Sequence, residues 1–212
     1  MTLAALETRA DEHALAIFGA LHPTDLDGIA TLVLLGPREP GFWSEFRQSP
    51  EYRDDRSHAM DRWSTRVIGS LADEFGATAY FPFDGPPHRP FYRWALDSGQ
   101  AWQSPVQLLV HDKAGLFVSY RGALGFADRL PMSLRSAASP CDSCADKPCL
   151  SACPVAALSE QSYDVPACKS FLHTDAGIDC MTGGCLVRRA CPISQGSGRL
   201  PEQSSFHMKA FL

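Results

Sequence analysis

Apolar positions along this chain change period several times, and the changes divide it into elements. Leu3, Leu6, Ala10, Ala14, Ile17, Phe18 and Leu21 recur at helical spacing, predicting a helix over 3–21 that ends at His22-Pro23. Ile29–Leu35 reads as a buried strand closed by Gly36-Pro37, and 37–57, rich in Pro, Gly, Arg and aromatics, as a surface loop. Met60, Trp63, Val67, Leu71 and Phe75 form the stripe of a second helix over 58–75, with Gly76 as its C-cap. A strand over 77–81, a turn at Asp84-Gly85-Pro86-Pro87 and a short helix over 89–97 follow. Val106–His111 and Leu116–Leu124 read as strands of a hairpin joined at 112–115. Arg135–Pro140 reads as a bridge, Val155–Leu158 as a short helix, and Asp164 as the cap of a helix over 165–173 that carries Cys168.

The chain has 212 residues, 45% hydrophobic and 20% charged, values ordinary for a globular protein with a real core. Its longest apolar run, Thr31–Leu35, is far short of a membrane span. The N-terminus carries acids where a secretion signal needs a basic and then an apolar run. A soluble, cytoplasmic protein without membrane attachment is therefore expected. The net charge of −5 argues against nucleic acid as the main partner, because phosphate binding rests on concentrated Lys and Arg.

Cysteine usage changes the picture most. All eight cysteines lie at or beyond position 141. The first run is Cys141-x2-Cys144-x4-Cys149-x3-Cys153-Pro154; the second is Cys168, then Cys180-x4-Cys185-x5-Cys191-Pro192. In two-cluster ferredoxin patterns the cysteine before proline leaves its own motif and ligates the other cluster. Applied here, Cys141, Cys144, Cys149 and Cys191 form one [4Fe–4S] ligand set, and Cys153, Cys168, Cys180 and Cys185 the other. Disulfides require an oxidising compartment, and zinc prefers paired C-x2-4-C units, so both are weaker alternatives. His88, His111, His173 and His207 are isolated from any metal-ligand spacing. His207 is singled out because a C-terminal tail can fold back on a cluster. Arg188 and Arg189, between ligands, are candidates for tuning a potential or docking a donor.

The cysteine pattern resembles that of the epoxyqueuosine reductase family, relatives of the corrinoid reductive dehalogenases. Asp164-Val165-Pro166-Ala167-Cys168-Lys169-Ser170-Phe171-Leu172 is similar to the family's D-A-R-R-C-I-S-Y-L helix. The closing Cys…Cys…Cys-Pro run is spaced more widely than the family's C-x2-C-x3-C-P. Upstream, Asp84-Gly85-Pro86-Pro87-His88-Arg89-Pro90 is similar to its D-S-A-P…R-P segment. Trp102-Gln103-Ser104-Pro105 through Leu116-Phe117-Val118 is similar to its G-W-x-G-K-x-S…G-S-F-F stretch, without the family's glycine, lysine and histidine.

The resemblance implies an α+β protein: a nitroreductase-like α/β domain over 1–136, then a ferredoxin-like two-[4Fe–4S] module over 137–212. It also implies cobalamin near one cluster, contacted from Trp102 and Ser104, and Asp84 as proton donor. Read from its residues alone, the Asp84 segment is a turn whose carboxylate bonds local backbone. The chain is short for the family and acidic, so tRNA is not expected as a substrate. Two functions are carried forward. One is a cobalamin-dependent reductase fed by an external donor (a ferredoxin, flavodoxin or reductase). The other is a ferredoxin-like electron carrier without cobalamin that docks a partner enzyme.

Overall fold

The computed structural model describes residues 2–132 and 138–212, so half of the bridge expected over 135–140 lies outside the described residues. The elements in chain order are α1 (Leu3–Asp11), β1 (Leu15–Leu21), β2 (Thr31–Pro37), α2 (Phe42–Gln48), α3 (Pro50–Arg53) and α4 (Ala59–Phe75). Next come β3 (Thr78–Tyr80), α5 (Phe91–Asp97), β4 (Ala101–Gln103), β5 (Leu109–His111) and β6 (Gly122–Phe126). Beyond a 3-10 turn at Pro148–Leu150 lie α6 (Val165–Leu172), α7 (Ile178–Gly183), α8 (Leu186–Ala190), α9 (Pro192–Gln195) and α10 (Pro201–Phe211). The fold is mixed α and β. It divides into two compact units that are not consecutive in sequence: Met1–Gln100 with Ser119–Ala137, and Ala101–Val118 with Ala138–Leu212.

The first unit is built on an antiparallel sheet of order β1-β2-β6-β3. Every residue of β2 and β6 is buried, as befits central strands covered on both faces. Met60, Trp63, Val67, Ile68 and Leu71 turn one stripe of α4 into the core. Gly76 ends that helix in the left-handed conformation that glycine adopts without a Cβ clash.

Four expectations need correction. The helix over 3–21 stops at Asp11, and 15–21 is β1. Ala14 turns the chain through φ 50°, and the apolar run Leu15–Leu21 then pairs with β2. A short apolar run fits either period, and sheet pairing decided. The expected loop over 37–57 contains α2 and α3. The Ser49 hydroxyl accepts the Tyr52 N–H at 3.2 Å and Pro50 opens α3. Phe42 and Phe46 meet Trp63 edge-on at 5.3 and 6.1 Å between ring centroids. The third correction concerns the hairpin of 106–111 with 116–124, which does not form. Leu109–His111 pairs back with Ala101–Gln103, while β6 enters the larger sheet between β2 and β3. The fourth is 155–158, a turn rather than a helix: Ala156 takes φ 49° and Leu158 bridges Tyr163.

The buried Glu51 accepts two hydrogen bonds from Arg66, at 2.5 and 3.0 Å. The Arg66 hydrogen bonds, opposed by burial, hold its carboxyl below the usual range. A depressed carboxylate pKa contributes stability above the unfolded value of about 4.3, lost as pH falls through the folded value. Half of Arg66 is in water, so the pair is worth about 1 kcal/mol. Glu51→Gln is expected to lower stability by that amount at pH 7. The difference from the parent should close below pH 4 in urea titrations.

Candidate metal centre

The second unit packs around Val106, Val110, Leu116, Leu158 and Val187, with Cys149 and Cys191 buried among them. Residues 101–118 therefore belong with the cysteine segment, although the sequence division at 136/137 separates them. Ser194, 2% exposed, fixes this loop: its hydroxyl accepts the Leu116 N–H at 2.8 Å. Gly115 makes that approach possible. Its φ is +55°, and a Cβ there would lie 2.4 Å from the Ser194 backbone nitrogen.

All eight cysteines are free thiols, and short local elements present them. Cys149 sits in the Pro148–Leu150 turn, Cys168 in α6 and Cys180 in α7. Cys185 precedes α8. Cys191 ends α8 and precedes α9, which Pro192 opens. The grouping crosses the two sequence runs. Cys141, Cys144, Cys149 and Cys191 line one pocket of about 470 Å³, walled by Ser104, Val110, Leu116 and Ile193. Burial pushes the Cys149 thiol up, and charge at Cys141, Cys191 and Cys144 pushes it further. The Cys141 thiol is also raised, first by burial, with Cys191, Cys144 and Asp142 adding to it.

The other four form a separate neighbourhood. Burial raises Cys168, and Cys185 and Cys153 add to the rise while the Tyr163 hydroxyl opposes it. Burial likewise raises Cys180, with Cys185 as its thiol neighbour. Tyr163 donates to Cys168 Sγ at 3.7 Å, and the Ala157 N–H to Cys153 Sγ at 3.2 Å. Burial, then the hydrogen bond to Cys168, moves the Tyr163 phenol well above its ordinary range.

The donor chemistry fits iron–sulfur clusters. Four soft sulfurs in each set, in an apolar wall with N–H and O–H donors aimed at sulfur, are what such clusters require. Ser104 supplies a further fit: its buried Oγ has no hydrogen-bond partner among the described residues and lies in the pocket wall. Among the described residues no three or more His, Cys, Asp or Glu side chains are drawn together as ligands of a single ion. In a cuboidal cluster each iron takes its own thiolate, so the sulfurs are spread around the cube rather than converging on a point.

The residues assigned to a corrinoid by resemblance are placed differently. Asp84, in the first unit, is exposed, and its carboxylate accepts the Phe81 N–H at 3.0 Å. Phe81 and Phe83 stack on each other at 5.1 Å, and Phe91 packs on Trp94 at 5.0 Å. Tyr92 is largely exposed. These are the surroundings of an exposed turn carboxylate beside a packed aromatic core. Trp102, half-buried in β4, and Ser104 belong to the second unit. Asp84 thus falls in one unit, and Trp102 and Ser104 in the other.

Sequence spacing missed the Tyr163 hydroxyl, the Ala157 N–H and Ser194, because no motif encodes hydrogen bonds to sulfur or to a loop. The tail does fold over the cysteine segment. Helix α10 packs on α7, Gln203 is fully buried, and Phe211 stacks on Tyr163 at 6.2 Å. His207 lies on α10 with its ring edge-on to Phe206. Arg188 donates to the Leu116 carbonyl, and Arg189 pairs with Asp179.

Asp164 caps α6, its Oδ1 accepting the Ala167 N–H at 2.9 Å. Asp164→Ala is expected to cost about 1 kcal/mol. Because α6 presents Cys168, a cluster held by the second set would be lost faster to a chelator, followed by visible absorbance, while one held by the first set would be lost at the parent's rate.

Among the described residues no helix is long and apolar enough to cross a membrane. Comparison of the chain with protein-family models, with curated proteins and with solved structures finds no match.

Proposed function

We propose that this chain is an iron–sulfur redox protein that holds two [4Fe–4S] clusters and transfers electrons between an external donor and a partner oxidoreductase. One observation carries the reading: eight free thiols fall into two sets of four that cross the sequence runs, with Cys191 beside Cys141, Cys144 and Cys149. Bound there, such clusters supply one-electron transfer at a potential set by their surroundings. The chain's own part is to anchor each cluster through four thiolates, to exclude water with Val110, Leu116 and Ile193, and to aim N–H and O–H donors at sulfur. The donor class is a ferredoxin, a flavodoxin or a reductase. A reducing compartment such as the cytoplasm suits eight unpaired thiols. In this reading the second unit is a ferredoxin-like module and the first a cap of nitroreductase-like descent.

The test is anaerobic reconstitution with iron and sulfide. Two clusters per chain by iron and acid-labile sulfide, with paramagnetic signals on reduction, support the reading. Binding of a single zinc per set, with no sulfide, ends it.

The cobalamin-dependent reductase is a second reading, related to epoxyqueuosine reductase. It is favoured by the position of Ser104, which the resemblance assigns to the cofactor and which lies in the wall of the first cysteine pocket. Titration of the loaded protein with cob(II)alamin separates the two. A stoichiometric base-off signal establishes a corrinoid site and supports the reductase. Unchanged spectra with both clusters intact leave the electron carrier.

A further inference from the structure

Resting on the two-cluster reading, we propose that the Cys153, Cys168, Cys180 and Cys185 site is the higher-potential of the two. Its poise is set by the Tyr163 hydroxyl and the Arg188 guanidinium. Reduction adds one negative charge to the metal–sulfur core. Each N–H or O–H aimed at sulfur, and each nearby cation, therefore favours the reduced form; a nearby carboxylate opposes it.

The second set has both kinds of support, and the carboxylate beside Cys180, Asp179, is paired with Arg189. Tyr163 donates to Cys168 Sγ at 3.7 Å and the Ala157 N–H to Cys153 Sγ at 3.2 Å. The phenol is held in place by its stack on Phe211, with ring planes 8° apart. Arg188 sits three residues after Cys185 on α8, oriented by its hydrogen bond to the Leu116 carbonyl. Burial pulls the Arg188 guanidinium below its ordinary range, and the charges at Cys185 and Tyr163 oppose that. Among the described residues no carboxylate pairs with it, whereas the adjacent Arg189 is taken up by Asp179. A part-buried guanidinium without a carboxylate requires another anion, and the thiolate set supplies it.

The first set is placed otherwise. Val110, Leu116 and Ile193 make its wall apolar. Asp142 beside Cys141 opposes added negative charge, and the Ser139 hydrogen bond to Cys141 offsets it in part; Asp146 and Lys147 also line this site. Ser104 Oγ is the buried hydroxyl that faces this site. The first electron delivered by a one-electron reductant, such as a reduced viologen that is itself oxidised by one electron, therefore rests at the second site. The next goes to the first site at a lower potential.

The test is an anaerobic redox titration of the fully loaded protein, followed by EPR and visible absorbance. Two one-electron waves are expected. Tyr163→Phe and Arg188→Gln should each move only the higher wave to more negative potential. Arg188→Lys, which keeps the charge, should restore most of the shift. Ser104→Ala should move only the lower wave. With both clusters loaded, a higher wave unmoved by Tyr163→Phe and Arg188→Gln, or a shift in the lower wave instead, overturns the assignment. A reconstituted protein without two clusters' worth of iron and sulfide overturns the underlying reading, and that result is read from the metal analysis before any titration.

Discussion

Replacing Cys191 with alanine is expected to abolish the same cluster signal as replacing Cys149, and to leave the signal that depends on Cys153 and Cys168. The crossed grouping makes this a sharp expectation. By sequence Cys191 belongs with Cys180 and Cys185, but it lies in the pocket of Cys141, Cys144 and Cys149. Cys153 belongs by sequence with the first run, but its thiol neighbour is Cys168. If each run held its own cluster, Cys191→Ala would fall with Cys180→Ala, and Cys153→Ala with Cys149→Ala. Iron and sulfide analysis with EPR of each reduced variant decides it. Each variant should keep half of the parent's iron and sulfide, and the two families should keep opposite halves. Cys191→Ala sharing the residual signal of Cys180→Ala would remove the crossed arrangement and, with it, the main support for a two-cluster relay.

The parts of this structure that could be read from sequence are those where one local signal is unopposed. In α4 a five-residue apolar stripe and Gly76 agree, and helix and cap form there. At α6 Asp164 supplies the N-cap from its own side chain. The crossed cysteine sets rest on a different kind of rule: the Cys-Pro rule concerns ligand exchange between motifs, so it speaks to tertiary placement rather than to local structure.

Where neighbours decide, the sequence is ambiguous. Leu15–Leu21 satisfies both helical and strand periods, and only the approach of β2 selects the strand. Short helices α2 and α3 are marginal alone; α2 is held by the contacts of Phe42 and Phe46 with Trp63, and α3 by those of Tyr52 with Trp43 and Phe46. The assignment of 101–118 to the cysteine unit depends on Val106, Val110 and Leu116 meeting Val187 and Cys191. Nothing within 101–118 announces those partners. Asp84 shows the converse limit: a family-like dipeptide context carried a catalytic role by resemblance, while its local chemistry is that of a turn.

On the two-cluster reading, removing iron is expected to unfold the second unit while the first keeps its structure. The regular structure of the second unit is slight. Strands β4 and β5 are three residues each, and only α10, at eleven residues, exceeds eight. Helices of this length are marginal without tertiary support. Two of the seven buried residues that form its core, Cys149 and Cys191, are themselves ligand candidates. Without metal, thiols whose ionisation is opposed by burial and by one another offer no cross-link in place of the clusters. Metal sites of four protein ligands contribute on the order of 10 kcal/mol to folding in small metal-dependent domains, comparable to the whole stability of such a unit. The first unit has a four-stranded sheet, a seventeen-residue helix and an aromatic core of its own. Hydrogen exchange of the chelated protein should therefore show β2, β6 and α4 still protected, with protection lost over 157–195. Retained protection over 157–195 after iron has left would mean that this segment folds on its apolar contacts alone, and the metal would then be a passenger in a preformed cage.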